Sequence, residues 1–288
     1  GYLEPGTYDL KVETTDLSTD ISNKVITAGV TTSIDKITLD SATTTTTTTT
    51  TIAGTGLKVS LTDAPAADFS KVEVNFDKVE VAMSSSSNAE WLTINEDGGV
   101  IDLLALNNGK LQELGVKNLE PGQYNQIRIA VSSVSITLKD GTVVDSSKVH
   151  LASDSIKLVK PFTLTKGITT ELVVDFDAAR SITKTGTTPS QYSYTMTPVT
   201  RLAIVKETGN IKGNVTPIAN KTITVTAFQN GSTTAYAGTV CDASGDWTIG
   251  YLEPGTYDLK VETTDLSSDI ENKVIETGKT TTTDKKTL

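Results

Sequence analysis

The chain has 288 residues and a formal net charge of −10, long enough for two or three domains and of the wrong sign to grip nucleic acid, whose phosphates demand Lys and Arg. No apolar run reaches the roughly 18 residues that read as a membrane-spanning helix, and the single cysteine, Cys241, permits no intrachain disulfide. Abundant Thr and Ser, scarce aromatics and short alternating runs predict an all-β chain of tandem β-sandwich modules, of immunoglobulin or transthyretin type, joined by a Thr-rich linker and placed outside the cell or on its surface.

Residues 1–39 repeat as residues 250–288 without a gap, with 31 identities in 39 positions at an offset of 249. The second copy follows a stretch, residues 210–249, that reads as strands and turns: "TITVTAF" alternates, "NGS" turns, "TAYAGTV" extends and "DASGD" turns again. Residues 1–39 are therefore expected to be the second half of a β-sandwich module that cannot fold alone. The missing strands would come from a preceding repeat or a neighbouring chain, because a half-sandwich leaves an unpaired edge and an apolar face. Residues 40–55 form a polythreonine linker built on Thr43, Thr44, Thr45, Thr46, Thr47, Thr48, Thr49, Thr50 and Thr51, which can carry no core. It reads as a solvated connector or as a stalk bearing O-linked sugars.

Residues 56–206 read as strands throughout. "KVEVNFDKVEVAM" places Val72, Val74 and Phe76 on one parity and Val79, Val81 and Met83 on the other, which predicts a bulge near Asp77–Lys78. "KDGT" at 139–142 signals a hairpin. "IDLLALNNGKLQELG" at 101–115 is the one stretch with a helical stripe, and it reads as a short turn of helix crossing one end of the sandwich. In order, "LKVSLTDAPA", "VEVNFDKVEV", "WLTI", "IDLLAL", "LEPGQYNQIRIAVSSVSITLKDGT", "KLVKPFTLTKG", "LVVDFDAARSI" and "TMTPVTRL" resemble a family of secreted or lipid-anchored prokaryotic domains without an assigned function. That resemblance implies an extracytoplasmic β-sandwich.

Residues 209–288 resemble the carboxypeptidase-regulatory-like and collagen-adhesin B-type sandwiches, on "IKGNVTP", "DASGDWTIGYLEPGTYDLKVE" and the closing Thr-rich strand. Trp247, Tyr251, Leu252 and Tyr257 are expected in the core, with Pro254-Gly255 making a turn. The resemblance implies a stalk, spacer or adhesin unit. It also implies a place for a Lys–Asn cross-link assisted by a buried acid. Lys212 and Glu262 stand near two of the three positions, but the closing strand offers no Asn.

Chemistry is sparse. His150 is the sole histidine, which excludes His-based zinc sites and leaves no justified Ser-His-Asp order. Cys241 lacks a nearby His and reads as a small core residue. The carboxylates of Asp63, Asp175, Asp177, Asp242 and Asp246 lie at strand ends or acidic turns and suit calcium's demand for oxygen ligands; the alternative is that each caps its own turn. Asp175 and Asp177 share a strand face, yet no sugar-stacking aromatics accompany them as a glycosidase would require. Asn214, Asn220 and Asn230 each head an N-x-S/T sequon. No cofactor is required by any motif. The expected role is a non-enzymatic structural repeat of an extracellular filament, fibre or stalk whose partners are copies of itself joined head to tail. The alternative is an adhesin that binds surface glycans.

Overall fold

The computed structural model describes residues 6–13, 18–26, 55–64, 68–84, 90–186 and 193–288, and the polythreonine run lies outside them. The described part is all-β, with two separate hydrophobic cores following one another along the chain. At the N-terminal end, β1 (Gly6–Glu13) and β2 (Ser18–Ile26) pair antiparallel as a two-stranded sheet.

The first sandwich is built on β3 (Gly56–Ala64), β4 (Phe69–Met83), β5 (Trp91–Asn95), β6 (Gly99–Asp102), β7 (Gln112–Asn118), β8 (Gly122–Leu138), β9 (Val143–Val144), β10 (Val149–Leu151), β11 (Ser155–Leu164), β12 (Thr170–Asp177), β13 (Ile182–Thr185), β14 (Ser193–Met196) and β15 (Thr200–Ile204). One sheet runs β11-β8-β4-β5, with β6 on β4 and β9 on β8. The facing sheet runs β15-β12-β3-β7, and a small third sheet runs β10-β14-β13. The expected bulge is present. Phe76 opposes Val131 and Lys78 opposes Ala130, so Asp77 is the extra residue. The inserted residue shifts the inward parity, and Val72, Val74, Phe76, Val79 and Val81 all reach the core. The Asp140-Gly141 hairpin also forms between β8 and β9, with the Gly141 amide donating to the Leu138 carbonyl at 3.0 Å and Gly141 at φ 85°.

One feature departs from the sequence reading, and another lay beyond it. The helical turn read at 101–115 is confined to Leu103–Leu106, and the rest of the stripe is not helical. β6 runs into a single 3₁₀ turn at Leu103–Leu106, and the chain then breaks at Asn108 and Gly109, both at positive φ, before β7. Leu103 and Leu106 are buried from the 3₁₀ turn and Leu114 from β7, while Leu111 is exposed. The apolar spacing came from a 3₁₀ turn, a loop and a strand rather than one long helix. Second, β3 lies parallel to β12, pairing Leu57 with Thr170 through Ala64 with Asp177. Such a pairing joins segments more than a hundred residues apart and leaves no local turn signal.

The second sandwich is built on β16 (Gly209–Asn214), β17 (Thr224–Gln229), β18 (Ala235–Val240), β19 (Asp246–Leu252), β20 (Gly255–Glu262), β21 (Ser267–Ile275) and β22 (Thr280–Thr282). Its sheets run β19-β16-β22 and β18-β17-β20-β21. Trp247, Leu252 and Tyr257 are buried between them. Gly213 permits this packing, since a Cβ there would lie 2.6 Å from Trp247 Cζ2. Tyr251 is not in the core: it is only partly buried, for a reason given below.

β1 and β2 reproduce β20 and β21 in backbone as well as in sequence. Gly6 opposes Ile26 as Gly255 opposes Ile275, Glu13 opposes Ser18 as Glu262 opposes Ser267, and both pairs slip register at the same place, between Tyr8 and Leu10 and between Tyr257 and Leu259.

Candidate functional site: the seam between the sandwiches

Arg201, Lys160 and Glu253, which sequence reasoning overlooked, gather with Asp175 where the two sandwiches meet. Thr62 on β3 begins the arrangement. Its hydroxyl lies 3.0 Å from the Leu106 carbonyl and 3.0 Å from the Lys110 carbonyl, holding both ends of the intervening loop. That loop carries Asn108 in the left-handed region at φ 60°, which Asn tolerates better than most residues. Asn108 then grips the second sandwich twice. Its amide donates to Thr239 Oγ1 at 2.9 Å, and its Oδ1 accepts from the Thr248 amide at 2.6 Å.

Arg201, on β15, makes the stronger contact. One guanidinium nitrogen donates to Asp175 Oδ2 at 2.5 Å within the first sandwich, another donates to the Tyr251 carbonyl at 2.5 Å in the second, and the plane lies 4.7 Å over the Tyr236 ring. The planar fork of Arg suits such a three-way contact, which a Lys ammonium would not reproduce. Arg201 and Asp175 are both largely buried, and burial pushes the Asp175 carboxyl up while the guanidinium opposes that push. Burial likewise raises the Tyr236 hydroxyl far above its ordinary range, so the ring faces Arg201 as a neutral phenol. At the rim, Lys160 donates to Glu253 at 2.6 Å, and this bond holds the Glu253 carboxyl below its ordinary value.

Tyr251 is shaped for this role. Gly250 and Tyr251 together oppose Asn210, because Gly209 pairs with Leu252 and Ile211 with Ile249. The bulge puts Tyr251 at φ 59°, a region costly for a non-glycine residue. Asn210 Oδ1 accepts from its amide at 3.1 Å while Arg201 takes its carbonyl. The bulge turns the carbonyl toward Arg201 and takes the ring out of the core.

The sequence did hold a signal. The chain has three arginines, Arg128, Arg180 and Arg201, and each holds a carboxylate: Glu80, Asp177 and Asp175. An Arg placed in the apolar strand "VTRLAIV" of a chain that otherwise uses Lys marks a fork-shaped contact.

Of the residues singled out as calcium ligands, the four with described side chains are each engaged by neighbouring groups. Asp175 is held by Arg201. Asp177 accepts from the Arg180 amide at 2.8 Å and pairs with its side chain at 2.6 Å. Asp242 Oδ1 accepts from the amides of Ser244 and Asp246, both at 2.9 Å, and Asp246 Oδ1 accepts from Asn214 Nδ2 at 2.7 Å. The Asp63 backbone lies on β3 opposite Phe176, and its side chain lies outside the described residues. Among the described residues, no three His, Cys, Asp or Glu side chains form a group that could hold a metal. His150 is exposed, and burial pushes the half-buried Cys241 thiol up to about 12, far from a reactive thiolate. The Glu262 carboxylate is taken by Lys260 at 2.6 Å, and Lys212 is exposed. Of the three sequons, Asn220 and Asn230 stand exposed in turns, while the Asn214 side-chain nitrogen is engaged by Ser244 and Asp246.

Residues 54–198, half of the chain, match the model of a domain of unknown function, DUF4382. The chain belongs to that family. No curated protein matches it. Among solved structures it is similar to GBS52, the minor pilin of Streptococcus agalactiae, with 12% identity, 80% of this chain and 95% of that one covered, and a TM-score of 0.21. It is similar to the Bacillus anthracis TIE protein, with 15% identity, 81% and 34% covered, and a TM-score of 0.21. It is also similar to the shaft pilin SpaA of Lactobacillus rhamnosus GG, with 8% identity, 81% and 96% covered, and a TM-score of 0.22. At these scores nothing about this chain's assembly follows from the likeness. No helix among the described residues is long and apolar enough to cross a membrane.

Proposed function

We propose that this DUF4382 chain is a structural repeat of an extracellular or cell-surface fibre or stalk, its sandwiches linked head to tail. One observation carries the reading: the β20–β21 hairpin occurs a second time, 249 residues earlier, in the same register and with the same slip. A hairpin that recurs nearly unchanged at a long fixed offset along one chain is what a repeating assembly requires, and heterologous contacts that do not close generate filaments. The seam supports it. A neutral hydrogen-bonded loop, a buried Arg–Asp pair and a rim ion pair together fix how one sandwich follows the next, as a load-transmitting stalk needs and a flexible tether does not. The second sandwich, in this reading, is the carboxypeptidase-regulatory-like spacer of the repeat.

Negative-stain images of native material test the proposal, combined with a denaturing gel. Fibres with a very large band mean one long polypeptide, and fibres with subunit-sized bands mean exchanged strands. Absence of fibres or stalks in the native source overturns it.

A second reading, a glycan-binding adhesin, is favoured by a polar cleft of about 280 Å³ between β5 and β7, lined by Thr93, Asn95, Glu96, Asp97 and Lys117 among others. A glycan array probed with the full chain tests it, and Lys117→Ala should abolish any signal found.

A further inference from the structure

The sequence holds two Asn-Gly pairs, Asn108-Gly109 and Asn230-Gly231. Glycine has no Cβ to shield its amide nitrogen or to restrict its backbone, so that nitrogen reaches the side-chain amide carbon of the preceding asparagine with little hindrance. The reaction that follows needs only water. The glycine nitrogen bonds to asparagine Cγ, the Cγ–Nδ2 bond breaks, and ammonia leaves with the proton of that nitrogen, closing a five-membered succinimide. Water then opens the ring at either carbonyl and leaves an aspartate or an isoaspartate.

The fold treats the two pairs differently. Asn230 stands exposed at the tip of the β17–β18 hairpin, where the Ser232 amide donates to the Gln229 carbonyl at 2.8 Å. Among the described residues, nothing hydrogen-bonds its side chain. Asn108 is half-buried in the seam. The Thr248 amide donates to its Oδ1 at 2.6 Å, and its own amide donates to Thr239 Oγ1 at 2.9 Å. The Lys110 amide closes the turn on the Asn107 carbonyl at 3.3 Å. These bonds keep Asn108 in the left-handed region at φ 60°. There ψ is about +47°, which sets the following nitrogen nearly opposite Cβ across the Cα–C bond. Succinimide closure needs that nitrogen on the same side as Cβ. The docked seam therefore holds Asn108 in a backbone conformation that does not react, with its carboxamide committed to the other sandwich.

We propose that Asn108-Gly109 is a self-modification site gated by the seam. While the sandwiches are docked, the side chain and ψ of Asn108 are held. Each opening that releases Thr248 and Thr239 frees both, and the succinimide forms. Hydrolysis of an amide to a carboxylate and ammonia does not reverse in water, so modified chains accumulate with the time the seam spends open. Neither product restores the contact. Isoaspartate routes the backbone through its side chain and lengthens the loop that Thr62 clamps at Leu106 and Lys110. Aspartate places a second carboxylate on a small cavity, about 10 Å³, that residue 108 and Asp175 both line, where like charges oppose each other. The inference concerns the seam alone and goes beyond the fibre reading.

The full chain is incubated in mildly alkaline buffer, digested at intervals and mapped by mass spectrometry, with isoaspartate read by enzymatic methylation. In the folded chain Asn230 should convert at least about tenfold faster than Asn108, because Asn108 reacts only from the open fraction. In urea, where both pairs are free, the two rates should converge. Arg201→Ala weakens the seam without touching Asn108, and should raise the Asn108 rate by about tenfold or more while leaving Asn230 unchanged. Thr239→Val removes only the acceptor of the Asn108 amide and should act in the same direction, which keeps the test in force should Arg201→Ala fail to fold. Circular dichroism establishes that each variant is folded during the incubation. Asn108 converting as fast as Asn230 in the folded parent chain overturns the gate, and so does an Asn108 rate that no folded seam variant changes. An Asn108 that stays intact in urea while Asn230 converts overturns the site itself.

Discussion

The Tyr257 hydroxyl donates to the Glu253 carbonyl, four residues back along the chain, at 2.9 Å. Tyr124 makes the same bond to Glu120, also at 2.9 Å, in the other sandwich. The surrounding words are Leu252-Glu253-Pro254-Gly255-Thr256-Tyr257 and Leu119-Glu120-Pro121-Gly122-Gln123-Tyr124. In both places the chain leaves one sheet, from β19 or β7, and enters the facing sheet, as β20 or β8. Proline rules out helix and sets the corner, and the tyrosine ring enters the core and ties its hydroxyl back across the crossing. The motif is a corner latch, akin to the tyrosine corner of immunoglobulin-type sandwiches, and the same words stand at Leu3–Tyr8.

Removing the latch hydroxyl should cost stability without altering packing. Tyr257→Phe and Tyr124→Phe each delete one hydrogen bond to a carbonyl and are expected to destabilise by about 1 kcal/mol. Replacement of either ring by Ala, at positions with no exposed surface, should cost about 3–5 kcal/mol through the cavity left behind. Urea unfolding of each variant, followed through tyrosine and tryptophan fluorescence, measures both. A Phe variant as damaging as the Ala variant would show that the hydroxyl, not the ring, dominates.

Arg201 provides the clearest test of the seam. Arg201→Ala leaves Asp175 buried and unpaired and frees the Tyr251 carbonyl, so a loss of about 3–5 kcal/mol is expected. Replacing both members, Arg201→Met with Asp175→Leu, should recover much of it, because a buried pair exchanged for apolar residues of similar size is often neutral. The readout that separates seam from fold is proteolysis between the sandwiches near residues 205–208. Arg201→Ala should speed it, and the double variant should speed it as well, since neither retains the bond to Tyr251. Calorimetry then reports stability independently.

Much of this architecture was legible in advance, and the reason is local. The parity switch around Asp77, the Asp140-Gly141 hairpin and the burial of Trp247 and Tyr257 all follow from neighbours within a few residues. The parallel β3–β12 pairing and the seam do not. Arg201 meets Tyr251 fifty residues away and Asn108 meets Thr248 at a separation of 140, contacts that leave no periodicity. Tyr251 was misread for a related reason: its aromatic character argued for the core, while a bulge created by pairing with β16 turned it outward. The leucine spacing at 101–115 misled because Asn107-Asn108-Gly109 interrupts it, and a turn signal of that strength outweighs a stripe.

Cation removal bears on the acidic turns. The turn from Asp242 to Asp246 is closed by hydrogen bonds from its own amides and from Asn214, and Asp175 and Asp177 are committed to arginines. Excess EDTA is therefore expected to leave the melting temperature of the full chain unchanged. A fall on chelation, restored by calcium, would assign an ion to Asp242 and Asp246.

Acid should loosen the first sandwich before its core is challenged. Glu80, almost wholly buried, opposes Arg128 across the β4–β8 pair and is held by Lys78 at 3.0 Å and by Arg128 at 2.6 Å, while Arg128 also stacks 4.2 Å over Trp91. Burial pushes the Glu80 carboxyl up, but the bonds from Lys78 and Arg128 outweigh it and hold the group below its ordinary value of 4.5. A carboxyl depressed in the folded state binds fewer protons there than in the unfolded chain, so its contribution is complete above 4.5 and is lost as pH falls through the folded value. Glu253, depressed first by Lys160, acts in the same direction at the seam. It is nearly half exposed, so its share is small and should fade with added salt. Melting temperature is thus expected to be flat from pH 7 to about 5 and to decline below the ordinary carboxylate value. Glu80→Gln should flatten the decline while lowering stability at pH 7, because it removes a charge that Lys78 and Arg128 both face. Differential scanning calorimetry at pH 7, 5, 4 and 3, on the parent chain and the variant, gives the comparison. An unchanged pH profile in Glu80→Gln would mean that other carboxylates set the acid limb and that the Glu80 network is merely solvated charge.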